Sequence, residues 1–476
     1  MQHSTAVGLW PRFKARFIGD RAFYKMVLAI TVPIIIQDTV TNLVNLLDNV
    51  MVGSLGTAEL SGVAIANYLM FVFHLSVYGA LGGAGIYGAQ FAGAKQWGRF
   101  QETLRYKLYA SLLITGLAVI VFTKWPVQLI SLYLRGEGDA ADSAAMLGYA
   151  LQYLKIMLWG TLPFAVSQSY SSALRESGET VLPMRAAVSA VFTNLVLNYV
   201  LIFGKFGFPA LGVRGAAIAT VISRVTELLV VAVTAHRHRE RFLFINGLYR
   251  SLRIGRDLVR EITIKGMPLF VNEFFWSAGT ITITQILSTR GLAVVGGLNI
   301  ASTFTNLAGV VFFSCGFAVS IVSGQALGAG DEELAKSHVW KLMFLAVALA
   351  GTVGACLALS AGWITHIYNT DAEVRRLAAT FMRVSAFYMP FAAISHCSYF
   401  AIRSGGRTFL TMLFDSVYAC LFSVPYNYAL VTLTSLPIET LYPLSQLTQP
   451  IKAIMGLAFV STGTWARNLV GKHGEA

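Results

Sequence analysis

Residues 29–50 read AITVPIIIQDTVTNLVNLLDNV. The stretch shows no strand-like alternation, and it is about as long as the ~20 residues that cross a ~30 Å hydrocarbon layer as a helix. Backbone at that depth must satisfy its own hydrogen bonds, so a single span of this length is a helix. It is not uniformly apolar. At ~100° per residue, Gln37, Asp38, Thr41, Asn42, Asn45, Asp48 and Asn49 fall within an arc of roughly 140°. One polar stripe on an apolar rod has to face a partner or a water-filled cavity. Hydrogen-bonding glue between helices is one reading, and an ion or substrate path is the other; two aspartates exceed what glue needs.

The rest of the chain has the same character. Of its 476 residues 55% are hydrophobic and 12% charged, with a mean hydropathy of +0.63. A soluble domain carries roughly 25% charged residues, about twice as many. Helical spans are expected at 26–50, 60–86, 106–124, 146–170, 181–203, 213–235, 262–288, 293–325, 338–361, 377–402, 409–432 and 440–463. The fold class is therefore an all-α polytopic membrane protein with twelve transmembrane helices. The net charge of +13 would suit nucleic acid, but its placement points elsewhere. With both termini on one side, 25 of the 36 Lys and Arg fall on that side and 7 on the other. That bias places both ends in the cytoplasm and directs the charge at anionic lipid, with no nucleic-acid partner. The four cysteines, Cys315, Cys356, Cys397 and Cys420, lack metal-ligand spacing and read as packing residues. No nucleophile–base pair, structural metal cluster or nucleotide loop stands out, so an enzyme is not expected.

The chain repeats itself. An offset of 235 residues lays Pro33 on Pro268, Gly56 on Gly291, Gly62 on Gly297, Gln90 on Gln325 and Gly93 on Gly328. An offset of 228 lays ALRESGET (173–180) on AIRSGGRT (401–408). Six helices per copy is an even number, so both copies enter from the same side as parallel repeats, a known transporter plan. The expected organisation is a basic cytoplasmic tail (1–25), an N-terminal six-helix lobe (26–235), a basic cytoplasmic linker (236–261), a C-terminal six-helix lobe (262–465) and a cytoplasmic tail (466–476). Apolar residues punctuate the linker at helical spacing, so part of it is expected as an interfacial helix.

Ionisable groups in a bilayer are costly and persist mainly where they work. Five acids lie inside apolar spans: Asp38, Asp48, Glu227, Glu273 and Asp415. Asn194 and Asn198 share one face of the fifth span, and Thr220 lies in the sixth. With Asp48 these would make an all-oxygen set suited to a hard cation or a proton relay, although spacing along the chain does not bring the three helices together. Glu273 shares a face with Ser277, Thr280 and Thr284. Asp415 and nearby aromatics (Trp276, Tyr418, Tyr426) could hold an organic cation by charge and ring quadrupole, or Asp415 could be structural. Arg224 and Glu227, three apart, are expected to neutralise each other.

These residues together resemble the multidrug and toxic compound extrusion (MATE) family, over roughly 25–465. In the first half the likeness rests on Pro33 and Gln37, NLLDNVMVGSLGTAELSGVAIAN (45–67), LRESGET with Pro183, LNYVLIFG (197–204) and LGVRGAAIATVISR (211–224). In the second it rests on GMPLFVNEFFWSAG (266–279), GLNIASTFTNL (297–307), GQALGAGDEELA (324–335) and IRSGGRT (402–408). The resemblance implies secondary active export of organic, often cationic, compounds, driven by inward Na⁺ or H⁺, with no other cofactor. It implies a bacterial inner-membrane protein acting as a monomer. It carries a cation site onto Asp48, Asn194, Asn198 and Thr220, supported by Pro33, Gln37, Asp38, Asn42 and Asn45. A substrate or second cation site falls on Glu273 and Asp415. Asp38 departs from the family pattern, where a neutral amide is more usual. A lipid-linked oligosaccharide flippase of the same superfamily is the alternative, disfavoured by the acidic balance of the intramembrane charge.

Overall fold

The computed structural model describes residues 14, 16–134, 140–368 and 370–471. Parts of both expected tails (1–13, 15 and 472–476) lie outside the described residues. Twelve helical spans follow one another among the described residues: α1 (Arg21–Gly53), α2 (Thr57–Gly93), α3 (Trp97–Lys124), α4 (Ala140–Glu176), α5 (Val181–Phe203), α6 (Val213–Arg237), α7 (Arg256–Ser288), α8 (Leu292–Gly328), α9 (Glu332–Thr365), α10 (Ala372–Ser404), α11 (Thr408–Leu433) and α12 (Ile438–Ser445, then Thr448–Ser461). Nine of them are long and apolar enough to cross a membrane by length and composition. Of the other three, α12 falls short because it is broken beside Pro443. The polar residues along α4 and α7 lower their hydropathy. Several helices outrun the expected spans, α2 and α4 at both ends, because a helix does not stop where the hydrocarbon does. The outward side chains are apolar: Leu113 is 65% exposed, Leu359 87% and Leu421 76%. Such residues suit lipid rather than water.

The repeat is built into the helix ends. Helices α1 and α7 each have 33 residues and start and stop at the 235-residue offset, and α2 and α8 do so with 37 each. Their C-terminal caps are the same structure made twice. Gln96 N donates to Phe91 O and Lys95 N to Ala92 O; Asp331 N donates to Ala326 O and Gly330 N to Leu327 O. These are Schellman caps, which need a left-handed residue after the helix. Gly330 supplies it at φ 86°, and Lys95 adopts it at φ 56° despite its side chain.

The chain forms two compact units. The N unit comprises Ile36–Gly88 and Trp97–Gly266; the C unit comprises Met1–Ile35, Ala89–Gln96 and Met267–Ala476. The division cuts α1 two residues beyond Pro33. In the C unit the start of α1 (Phe23, Val27, Ile30, Ile34) joins a core with α8, α9 and α10. There the end of α2 crosses the end of α8 at near-contact of the backbones. A Cβ on Gly93 would lie 1.9 Å from Gln325 O, and one on Gly328 1.8 Å from Gln90 O. Small residues permit this crossing. In the N unit Val63, Phe73, Leu154, Phe164 and Ala217 belong to a separate core.

Between α6 and α7 the linker forms no α-helix, and its last residues, 256–261, already belong to α7. After α6 it makes one 3₁₀ turn, Leu243–Ile245, and further turns until α7 begins at Arg256. Its apolar residues point into the N unit: Phe244 and Leu248 are each 1% exposed, and Phe244 packs on Phe100 with ring centroids 4.8 Å apart. Arg105 on α3 donates through Nε to Leu248 O at 2.9 Å and through Nη1 to Arg253 O at 3.2 Å. Gln101, Glu102 and Tyr109 hold the neighbouring backbone. The segment is a strap laid along α3, because hydrogen bonds from that helix satisfy a backbone that helical turns would otherwise have to satisfy.

Candidate cation-binding site

In the N unit α1, α5 and α6 bring the first predicted set together. Asn194 and Asn198, one turn apart on α5, are 4% and 1% exposed. Asn198 donates from Nδ2 to Asp48 Oδ1 at 2.5 Å. The Asn194 amide lies 2.8 and 3.2 Å from the two Asp48 oxygens. Turned with its NH₂ toward Asp48, it donates to the carboxylate and accepts from Thr220 Oγ1 at 3.3 Å. Turned the other way, it sets an acceptor against an acceptor, an arrangement that a proton or cation between them would satisfy. Asn198 Oδ1 is buried without a hydrogen-bond partner among the described residues. A carboxylate, two amide oxygens and a hydroxyl, one of them an orphaned acceptor, fit a hard cation. Tyr153 on α4, 5% exposed, interacts with Thr220 and Asn67 and backs the cluster. Nothing in the sequence distinguishes it from the chain's other tyrosines.

The remaining α1 residues do not join this cluster. Gln37 is buried with Oε1 unpartnered among the described residues. Asn42 and Asn45 are exposed, and Pro33 is buried inside the unbroken helix. Asp38 forms no hydrogen bond or ion pair among the described residues; the charge acting on it is Arg175. Arg224 and Glu227 pair at 3.4 Å, Gln168 donates to Glu227 at 3.2 Å, and the Arg224 guanidinium lies over Phe164.

In the C unit Asp415 is already engaged. Lys452 on α12 donates to its Oδ1 at 2.5 Å, and Asn272 on α7 to its Oδ2 at 3.0 Å. Asn272 accepts from Ser416 N at 3.2 Å. Asp415 lies in one of two successive π turns of α11, Leu413–Val417 and Ala419–Ser423; such wide turns are frequent at functional sites. Two of the expected aromatics direct their hydroxyls away from Asp415. Tyr418 and Tyr426 stack on Phe422 and donate to the backbone of α12 at Thr448 and Leu444, beside its break. Glu273 forms no hydrogen bond or ion pair among the described residues, and the charges acting on it are Arg403 and Asp415.

Sequence reasoning passed over three features. Lys452 stands in the apolar run TQPIKAIMGLAFV (448–460), where a lone lysine is a signal in itself. Lys107, near the start of the expected span 106–124, is fully buried in an ion pair with Glu176, which Ser172 also bonds. The third is Asp38. The offset that lays Pro33 on Pro268 also lays Gln37 on Asn272 and Asp38 on Glu273, while the second offset lays Arg175 on Arg403. Asp38 is the first-half copy of Glu273, facing the copy of the same arginine.

Compared with known proteins, the MatE family model matches residues 33–200 and 268–429, most of both repeats. The chain belongs to the MatE family. Among curated relatives of this MatE chain, the probable multidrug resistance protein NorM of Thermotoga maritima is 25% identical over 407 residues, covering 86% of this chain and 85% of that protein. The Bacillus subtilis protein of the same name is 26% identical, covering 87% and 89%. An outward-facing multidrug resistance MATE family transporter of the MOP superfamily superposes with a TM-score of 0.84 at 20% identity, over 94% of this chain and 98% of that one. A MATE protein in its straight conformation superposes at 0.83, with 95% and 98% covered. These likenesses give the MatE chain the twelve-helix, two-lobe membrane fold expected from its repeat.

Proposed function

We propose that this protein is a secondary active multidrug exporter of the bacterial cytoplasmic membrane, exchanging organic, cationic compounds for inward Na⁺ or H⁺ by alternating access, with both termini in the cytoplasm. The observation that carries this reading is the Asp48 cluster. There an intramembrane carboxylate has only neutral amides as hydrogen-bond partners among the described residues, backed by the Thr220 hydroxyl and the Tyr153 phenol, with Arg224 acting on it from beyond bonding distance. The family and the names of its relatives support export of drugs. A lipid-linked oligosaccharide flippase has to meet pyrophosphate and gains little from such a carboxylate.

In this mechanism the coupling ion binds Asp48, Asn194, Asn198 and Thr220. While Asp48 is charged, its bonds to α5 are charge-assisted and hold α1 to that helix. A bound ion or proton removes that charge and weakens the hold. The helix then repacks along its length beyond Pro33, where one backbone hydrogen bond is already missing. An ion shifts the equilibrium between two states only by its differential affinity for them, so the site must be more complete in one state than in the other. Glu273, a carboxylate without a bonded partner among the described residues, is assigned to the positive charge of the substrate.

The test is export of a fluorescent organic cation from proteoliposomes under a Na⁺ gradient and a pH gradient imposed separately. Export driven by one of the gradients is expected. No export under either would move the assignment to a lipid-linked substrate.

A further inference from the structure

Each repeat carries one basic residue deep in its sixth helix, and the 228-residue offset lays Arg224 on Lys452. The two cations are neutralised differently. In the N unit Arg224 has an acid on its own helix, Glu227, one turn on at 3.4 Å. Asp48 keeps neutral hydrogen-bond partners, and Arg224 acts on it only from beyond bonding distance. In the C unit the residue at the position of Glu227 is Met455. Lys452 therefore has no acid on its own helix at that spacing, and its ammonium reaches across to Asp415 on α11. The pair is largely buried, with side chains 17% and 13% exposed, and Asn272, itself 1% exposed, takes the other carboxylate oxygen. The ammonium also lies 5.3 Å from the centroid of the Phe414 ring. The remaining titratable groups acting here are Glu273 on α7 and His396, Tyr399 and Arg403 on α10.

A lysine ammonium is a compact monovalent charge, as a sodium ion is. We propose that Lys452 is a tethered cation that permanently fills the cation position of Asp415, so that the coupling ion is exchanged only at Asp48. The inference rests on the reading of Asp48 given above and adds where ion exchange does not occur. It turns a twice-built frame into one exchangeable site and one locked site.

Ion-dependent stability tests it without any transport step. Purified protein is unfolded by heat across a series of NaCl concentrations, with choline chloride holding ionic strength constant, and across pH. The Asp48→Asn protein is expected to show no cation-dependent shift in its midpoint. Asp48→Asn/Lys452→Gln, with Asp415 now uncompensated, is expected to gain one, its midpoint rising with Na⁺ or with falling pH. Adding Asp415→Asn is expected to remove it. The proposal is overturned if Lys452→Gln adds no shift, or if Asp48→Asn alone still shows one that Asp415→Asn abolishes. Should Lys452→Gln yield no folded protein, Asp415→Asn/Lys452→Gln should restore the yield, because both charges are gone; failure of both overturns the proposal. A wild-type protein that ignores cations, beside a Lys452 variant that responds, would count against the Asp48 reading and leave this one standing.

Discussion

Asp48 differs from the chain's other intramembrane acids in having only neutral neighbours at bonding distance, and the sharpest predictions belong to it. Asn198→Ala removes the unpartnered amide oxygen that the site offers to a cation, a contact to a charged group worth about 1.5–3 kcal/mol. It should weaken ion activation of export by ten-fold or more while leaving folded yield intact, as measured by the ion concentration for half-maximal efflux. A wild-type value would remove Asn198 from the site. Lys95 offers a test of the backbone. Its left-handed conformation costs about 1–2 kcal/mol that its repeat mate Gly330 avoids. Lys95→Gly should raise the unfolding temperature, and a lowered one would show that the lysine side chain earns its strain by a contact. The members of the Asp48 set were legible one helix at a time, because polar side chains in apolar spans are few and their spacing sorts them by face; only the family resemblance joined the three helices into one site. Lys452 and the Lys107–Glu176 pair were harder to see: at the edge of a span, a charge reads equally as cytoplasmic and as buried.

Among the helices, the crossing of α2 with α8 depends on two glycines whose missing side chains leave no spare room. Gly93→Ala should cut the yield of folded protein sharply. Gly351→Ala on α9, where a Cβ meets nothing within 4 Å, should be neutral or stabilising by roughly 0.5–1 kcal/mol. Equal effects in a detergent-stability assay would contradict the packing described. The linker makes a prediction of its own: Arg105→Ala frees the carbonyls of Leu248 and Arg253. Limited trypsin digestion should then cleave at Arg250 and Arg253 faster than in the wild type, since local opening governs access. Unchanged cleavage would mean that Phe244 and Leu248 alone hold the strap. The sequence could not separate strap from interfacial helix, because apolar residues at helical spacing also suit turns that dip into a neighbour. The π turns of α11 were equally hidden, since they alter hydrogen-bond register without altering hydropathy.

For the whole molecule, hydropathy and charge placement gave the span count, and the 235-residue offset gave the two halves. That offset reaches further than the matched residues suggested, down to the first and last residues of α1, α2, α7 and α8. The repeat is of structure as well as sequence; it keeps some intramembrane charges in both halves, as at Asp38 and Glu273, and places others in one half alone. Asp48 has Ile283 as its counterpart, and Asp415 has Ala187. Function in such a duplicated frame depends on which copy surrounds its own acid with cation-ligating neutral groups. The most direct measurement is cation efflux from proteoliposomes under separate Na⁺ and pH gradients, wild type beside Asp48→Asn. The account predicts export driven by one gradient in the wild type and at least a ten-fold loss in a folded Asp48→Asn protein. Wild-type export by that variant would contradict it.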